Sequence, residues 1–125
     1  MAVPIATYDV LPLPVVQKWA VRNLSREQLR AGINLARRLR FYPHVADLLV
    51  QRCGDGMELR VEHPAIGRQG WLRAIFWIEE KTKTIYVVDL FWKKTNAIST
   101  ADRARADHRI RGLKAELKKG CRPWR

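Results

Sequence analysis

Cations recur inside segments that read as strands. Arg60 stands in the middle of MELRV, Arg73 in the middle of WLRAIFW, and the pair Lys93-Lys94 directly follows DLFW. A guanidinium set among Trp71, Leu72, Ile75 and Trp77 is costly without a partner, and a phosphate is the ligand whose geometry its planar donor fork matches. A single strand arginine reads at least as well as a solvated residue or a salt bridge to Glu58, Glu62 or Asp89. Three cationic clusters on neighbouring strands point instead to a phosphate-binding cleft. Trp71 and Trp92 lie at strand ends beside these cations, where a base could stack, whereas Trp19, Phe76 and Tyr86 read as core.

Other chemistry has little support. The chain has no glycine-rich phosphate loop, no HExxH pair and no GxSxG elbow. His44, His63 and His108 are scattered, and only His108, on a cationic helix, retains a minor claim to a site role. Cys53 and Cys121 lack zinc-ligand spacing and read as free thiols in a reducing cytoplasm. No apolar run reaches the roughly 18 residues of a membrane span.

The charge of the whole chain agrees with a polyanionic partner. Its 125 residues carry 24 Lys and Arg, of which 16 are Arg, against 12 Asp and Glu, for a formal net charge of +12. Such an excess most often serves nucleic acid, with an acidic membrane or an acidic protein as the other classes. The length suits one domain, read here as 1–119 with a loose tail at 120–125.

The elements that must position the cations follow from periodicity and punctuation. Residues 5–11 read as a strand ended by Pro12. Pro14 opens a short helix to Leu24 with Val15, Val16, Trp19 and Leu24 near one side. Ser25 and Gln28 form a capping-box pattern that starts a second helix at 26–40, with an apolar stripe of Leu29, Ile33, Ala36 and Leu39. Arg26, Arg30, Arg37, Arg38 and Arg40 lie elsewhere around it, and Arg37 and Arg38 are candidate RNA contacts. Residues 44–50 read as a helical turn or short strand before the Gly54-Asp55-Gly56 loop. Segments 57–62, 71–79 and 84–92 predict three antiparallel strands, with a hairpin turn at 79–84. Ser99 or Thr100 caps a last helix to about Lys119, whose stripe is Ala106, Ile110, Leu113 and Leu117. The fold class is α+β, an N-terminal strand and helical hairpin packed on an antiparallel sheet, then a C-terminal helix.

The run ELR at 58–60, the strand 71–77 with its central Arg73, and VVDLFWKKTNAISTADRARA at 87–106 together resemble the RelE/ParE superfamily of bacterial toxins. They are most similar to its phage-derived, HigB-like branch. There an ELR strand, an arginine in the next strand, a strand ending in F-x-K-K-T and a small-residue helix follow at about this spacing. The likeness covers residues 57–110 by motif and the whole chain by element order, with FWKKT its most specific part.

The resemblance implies a RelE-like fold and a type II toxin. Such a toxin is a metal-independent endoribonuclease, needing no cofactor, that cleaves mRNA on the translating ribosome and is restrained by a cognate antitoxin. Arg73 would then stabilise the phosphorane-like transition state, Lys93 and Lys94 would grip flanking phosphates with one moving a proton, and Arg60 would support them. Glu58, the one carboxylate of the cluster, is the candidate base. Three departures stand out: Glu58 lies in a strand where RelE carries further lysines, TNAIST offers no tyrosine, and Ser99 stands where a proline is frequent. The alternatives are a ParE-like toxin that binds DNA gyrase and cuts nothing, and a non-catalytic nucleic-acid-binding regulator.

Overall fold

The computed structural model describes residues 7–41, 49–61, 71–93 and 99–120. His44, His63, Lys94 and residues 121–125 therefore lie outside the described residues. The elements are β1 (Asp9–Pro12), α1 (Pro14–Asn23), α2 (Arg26–Leu39), β2 (Leu49–Cys53), β3 (Gly56–Val61), β4 (Trp71–Glu79), β5 (Thr84–Lys93) and α3 (Thr100–Lys118). The caps form as the residue types dictate. Ser25 Oγ accepts from the Gln28 backbone N–H at 3.2 Å, while the Ser25 N–H donates to Gln28 Oε1 at 2.7 Å. Ser99 caps α3 by accepting from the Asp102 N–H at 3.1 Å.

The strands form one five-stranded sheet in the order β1-β5-β4-β3-β2. Two features differ from the sequence expectation. Of the segment 44–50, read as a helical turn or short strand, residues 44–48 lie outside the described residues and 49–50 begin β2, which continues through the unassigned residues 51–53 and pairs antiparallel with β3 through a two-residue turn at Gly54 and Asp55. Gly54 has φ +56, the conformation that such a turn favours in its first residue. The second difference is at the other edge, where β1 runs parallel to β5, with Asp9 opposite Thr84 and Pro12 opposite Val87. Pro12 sits on an edge strand, where its missing donor breaks no central ladder.

Both faces of the sheet are covered, as the apolar content of β4 and β5 requires. On one face, α1 and α2 pack over Leu59, Leu72, Ala74, Phe76 and Ile85. On the other, α3 lays Ala106, Ile110 and Leu113 on Cys53, Ile75, Tyr86, Val88 and Phe91. The predicted stripe of α3 is the observed one. Those of the hairpin are narrower than expected: Val15 is 44% and Ile33 55% exposed.

A β-bulge in β5 decides which side chains share a face. Ile75 pairs with Asp89 but Phe76 pairs with Val87, so Val88 is the extra residue. Without it, strict alternation would put Trp92 beneath α3 with Tyr86 and Val88. With it, Asp89, Phe91 and Lys93 take that face, and Trp92 turns to the hairpin.

Candidate functional site

Strand register gathers the cations of three strands beneath the first half of α3. Arg60 stands opposite Arg73, and Arg73 opposite Phe91. Glu58 is opposite Ile75, on the same face and diagonal to Arg73. Glu58 Oε1 lies 2.7 Å from Arg73 Nε, with the two side chains 2% and 0% exposed. Lys93 is buried on this face, and its Nζ has no hydrogen-bond partner among the described residues. Burial pushes its ammonium below the ordinary lysine range; Glu58 pulls upward and Arg73 adds to the depression.

The cover over this cluster is fastened by a second group of charges. Asp89, almost wholly buried, accepts from Arg105 Nε at 2.9 Å and from Arg109 Nη1 at 2.8 Å. Arg109 Nη1 also donates to the Val88 carbonyl at 3.1 Å, so α3 is tied to the bulge itself. Arg105 completes the fastening by donating to Asp102 at 2.8 Å and stacking over Phe91, 5.5 Å from its ring centroid. Farther along α3, Asp107 accepts from the Asp55 N–H at 3.0 Å and secures the β2–β3 turn. Cys53 lies beneath the same helix, 1% exposed. Its burial raises the thiol pKa, against the opposing hydrogen bond and charge of Arg103.

No protein-family model and no curated protein matches the chain. Among solved structures, an arginine-to-alanine double variant of E. coli toxin RelE in the free state superposes with a TM-score of 0.59 at 12% identity. The match covers 83% of this chain and 98% of that one. The chain has the RelE fold. A second solved structure, the archaeal RelE-RelB complex from Pyrococcus horikoshii OT3, gives a TM-score of 0.49 at 23% identity over 73% of this chain and 99% of that one.

Within this RelE fold, Glu58, Arg60, Arg73 and Lys93 are brought together, as four of the nine site candidates. Trp71 is opposite Lys93 in the register. Lys94 falls outside the described residues. Trp92 is not at the cluster: it packs on Trp19 across the sheet, ring centroids 6.3 Å apart, and has no path to a base bound near Arg73. Arg37 and Arg38 are on α2, also on the opposite face, with Arg37 exposed and Arg38 half-buried.

The cluster differs from an open cleft in one respect. Arg73 already lies against a carboxylate and is wholly buried, so a phosphate reaches it only after the structure around it opens. Residue types alone did not single out Asp89, Arg105 and Arg109 as a unit. Their signal was present: one acid inside the apolar run TIYVVDLFW, facing arginines four residues apart on a helix.

Proposed function

We propose that this chain is a type II toxin that cleaves mRNA on the translating ribosome and that a cognate antitoxin restrains it. One observation carries the reading: in a chain of RelE fold, Arg60, Arg73 and Lys93 share a sheet face, with Glu58 as their carboxylate. The attacking group in such a cleavage is the substrate's own 2′-hydroxyl, which displaces the 5′-oxygen of the next nucleotide. The protein needs only to align the chain, stabilise the extra phosphate charge and move one proton at each end.

Arg73 supplies the planar donors for that charge once α3 lifts, and Arg60 beside it steadies a flanking phosphate. Lys93 moves a proton, since its depressed pKa brings the ammonium nearer to the working pH. Glu58 acts by holding Arg73 in place, which makes it a positioning residue rather than the base. The RNA must displace the N-terminal turns of α3, and the Asp89 fastening sets how readily that occurs.

A ParE-like protein binder is the second reading, favoured by the complete burial of Arg73 in an internal ion pair. Such a toxin would keep the cluster as structure and present other surfaces to DNA gyrase. Adding the purified protein to a translating extract and mapping new mRNA 5′ ends separates the two. The ribonuclease reading expects new ends, reduced about a hundred- to a thousandfold by Arg73→Ala and little restored by Arg73→Lys. Folded protein that yields no new ends, yet inhibits gyrase supercoiling, establishes the second reading instead.

A further inference from the structure

Phe91 is the aromatic residue that the strand register sets beside Arg73. The two stand directly opposite on β5 and β4, and such pairs have Cβ atoms about 4.5–5.5 Å apart, on the scale of the offset between a nucleotide's base and its phosphate. Phe91 reaches this face through the β5 bulge, the same step that turns Trp92 away. It is 7% exposed and clusters with Ala106 and Ile110 of α3. One contact of its ring is of a different kind. The Arg105 guanidinium lies over it, 5.5 Å from the centroid, and Arg105 is itself 40% exposed.

A long charged side chain open to solvent is a removable cover. Arg105 donates to Asp89 from Nε and to Asp102 from Nη2, but neither acid depends on it alone. When Arg105 swings out, the buried Asp89 carboxylate keeps two donors, Arg109 Nη1 at 2.8 Å and the Leu90 N–H at 2.9 Å. Asp102 is 25% exposed and keeps the Ser99 hydroxyl at 2.8 Å. The surface uncovered in this way is flat and apolar, with Arg73 across the ladder and Lys93 two residues along the same strand face. A flat π-system that carries a phosphate uses the ring and the cations together. An aliphatic chain would use no cation, and inorganic phosphate would use no ring.

We infer that the Phe91 ring is the stacking seat of one nucleobase of a bound RNA and that Arg105 is its displaceable cover. The inference rests on the reading of the Arg73 face as an RNA site, though not on cleavage there. It assigns to Phe91 the role for which Trp92 faces the wrong side of the sheet. It also divides the two arginines that hold Asp89: Arg109 keeps α3 tied to the bulge, while Arg105 yields to the base.

The test is equilibrium binding of the full chain to a short single-stranded RNA made uncleavable by 2′-O-methyl groups, and to a set in which each base in turn is deleted. At one position, base deletion and Phe91→Leu should each weaken binding about tenfold or more, and together no more than either alone. Phe91→Tyr keeps the ring and should bind as wild type. In the wild-type protein, the Phe91 ring resonances should shift with the intact RNA and far less with that one abasic RNA, a readout independent of any variant's folding. Arg105→Ala should preserve the coupling between ring and base. The inference is overturned if Phe91→Leu weakens intact and abasic RNAs alike, which marks a purely structural ring, or if the intact RNA leaves the ring resonances unmoved. It is equally overturned if Arg105→Ala abolishes the coupling, since the arginine would then be the group that meets the base. Cleavage is scored separately by new mRNA 5′ ends. Coupling without new ends keeps the seat and removes the ribonuclease reading, whereas new ends without coupling do the reverse.

Discussion

Arg109 reaches from α3 to the carboxylate of Asp89, 2.8 Å away, at the point where β5 bulges. The same arginine holds the Val88 carbonyl at 3.1 Å, so the irregular step in the strand is what the helix grips. The bulge thus has two effects: it turns Asp89 toward α3, and it brings Lys93 onto the face of Arg73.

Loosening that grip should expose what lies under it. In a Cys121→Ser background, Cys53 is the one remaining thiol, and in the folded protein its alkylation should be slow because the sulfur is buried and its pKa raised. Asp89→Asn keeps the shape but removes the charge shared by Arg105 and Arg109. Alkylation of Cys53 under native conditions should then accelerate about tenfold or more, as α3 opens more often. An unchanged labelling rate would mean that apolar packing of Ala106, Ile110 and Leu113 alone holds the cover.

The buried ion pair makes a prediction about stability. Glu58→Leu removes the carboxylate beside the Arg73 guanidinium at a position with no exposure, and urea titration should show a loss of about 3–5 kcal/mol. Adding Arg73→Met should recover most of that loss, because two well-packed apolar side chains replace a desolvated pair at little net cost. Equal instability of the single and double variants would mean that the pair is not energetically coupled.

Lys93 should leave its mark in the pH dependence of stability. Its folded-state pKa lies below the ordinary 10.5, so at neutral pH folding pays for a desolvated ammonium. The unfolded chain binds more protons than the folded one between the depressed value and 10.5, and that lysine's penalty fades as pH rises through this window. Lys93→Met should therefore stabilise the protein near pH 7, with the advantage over wild type narrowing toward pH 10.5. A constant gap across that range would show that Lys93 titrates normally.

The turn beneath α3 gives a sharper case. Gly54 has φ +56, and a Cβ there would come within 2.5 Å of the Asp107 carboxylate. Gly54→Ala should cost more than about 1 kcal/mol of stability, measured by thermal or urea unfolding, since it combines backbone strain with a clash. Asp107→Ala should relieve the clash, so the double variant should lose less than the sum of the two single ones.

Much of this architecture was legible because its signals are local. The Ser25–Gln28 capping box, the Ser99 cap, the hairpin between Glu79 and Thr84 and the α3 stripe each rest on residues within a turn or two of one another. Glu58, Arg60, Arg73 and Lys93 were legible as a group because strand pairing brings successive strands side by side. What escaped depends on contacts distant in sequence. β2 carries the weakly patterned Gln51 and Arg52, and its pairing with β3 is what makes it a strand. The sequence places Trp92 beside the cations, whereas a one-residue bulge, which leaves no compositional trace, reverses its face. The burial of Arg73 is likewise a property of the assembled fold, which no residue next to it in the chain announces.

The parallel pairing of β1 with β5 bears on biosynthesis. Asp9 finds its partner in Thr84, so the N-terminal strand stays unpaired until most of the sheet has been translated. During that interval α1 and α2 present their apolar sides without β4 or β5 to receive them, which is the stage at which a nascent chain is most prone to aggregate or recruit a chaperone. Because α3 follows β5 in the chain, the cover is the last described element to be synthesised. A chain truncated after Lys93 and released should thus lack the helix that Asp89 fastens.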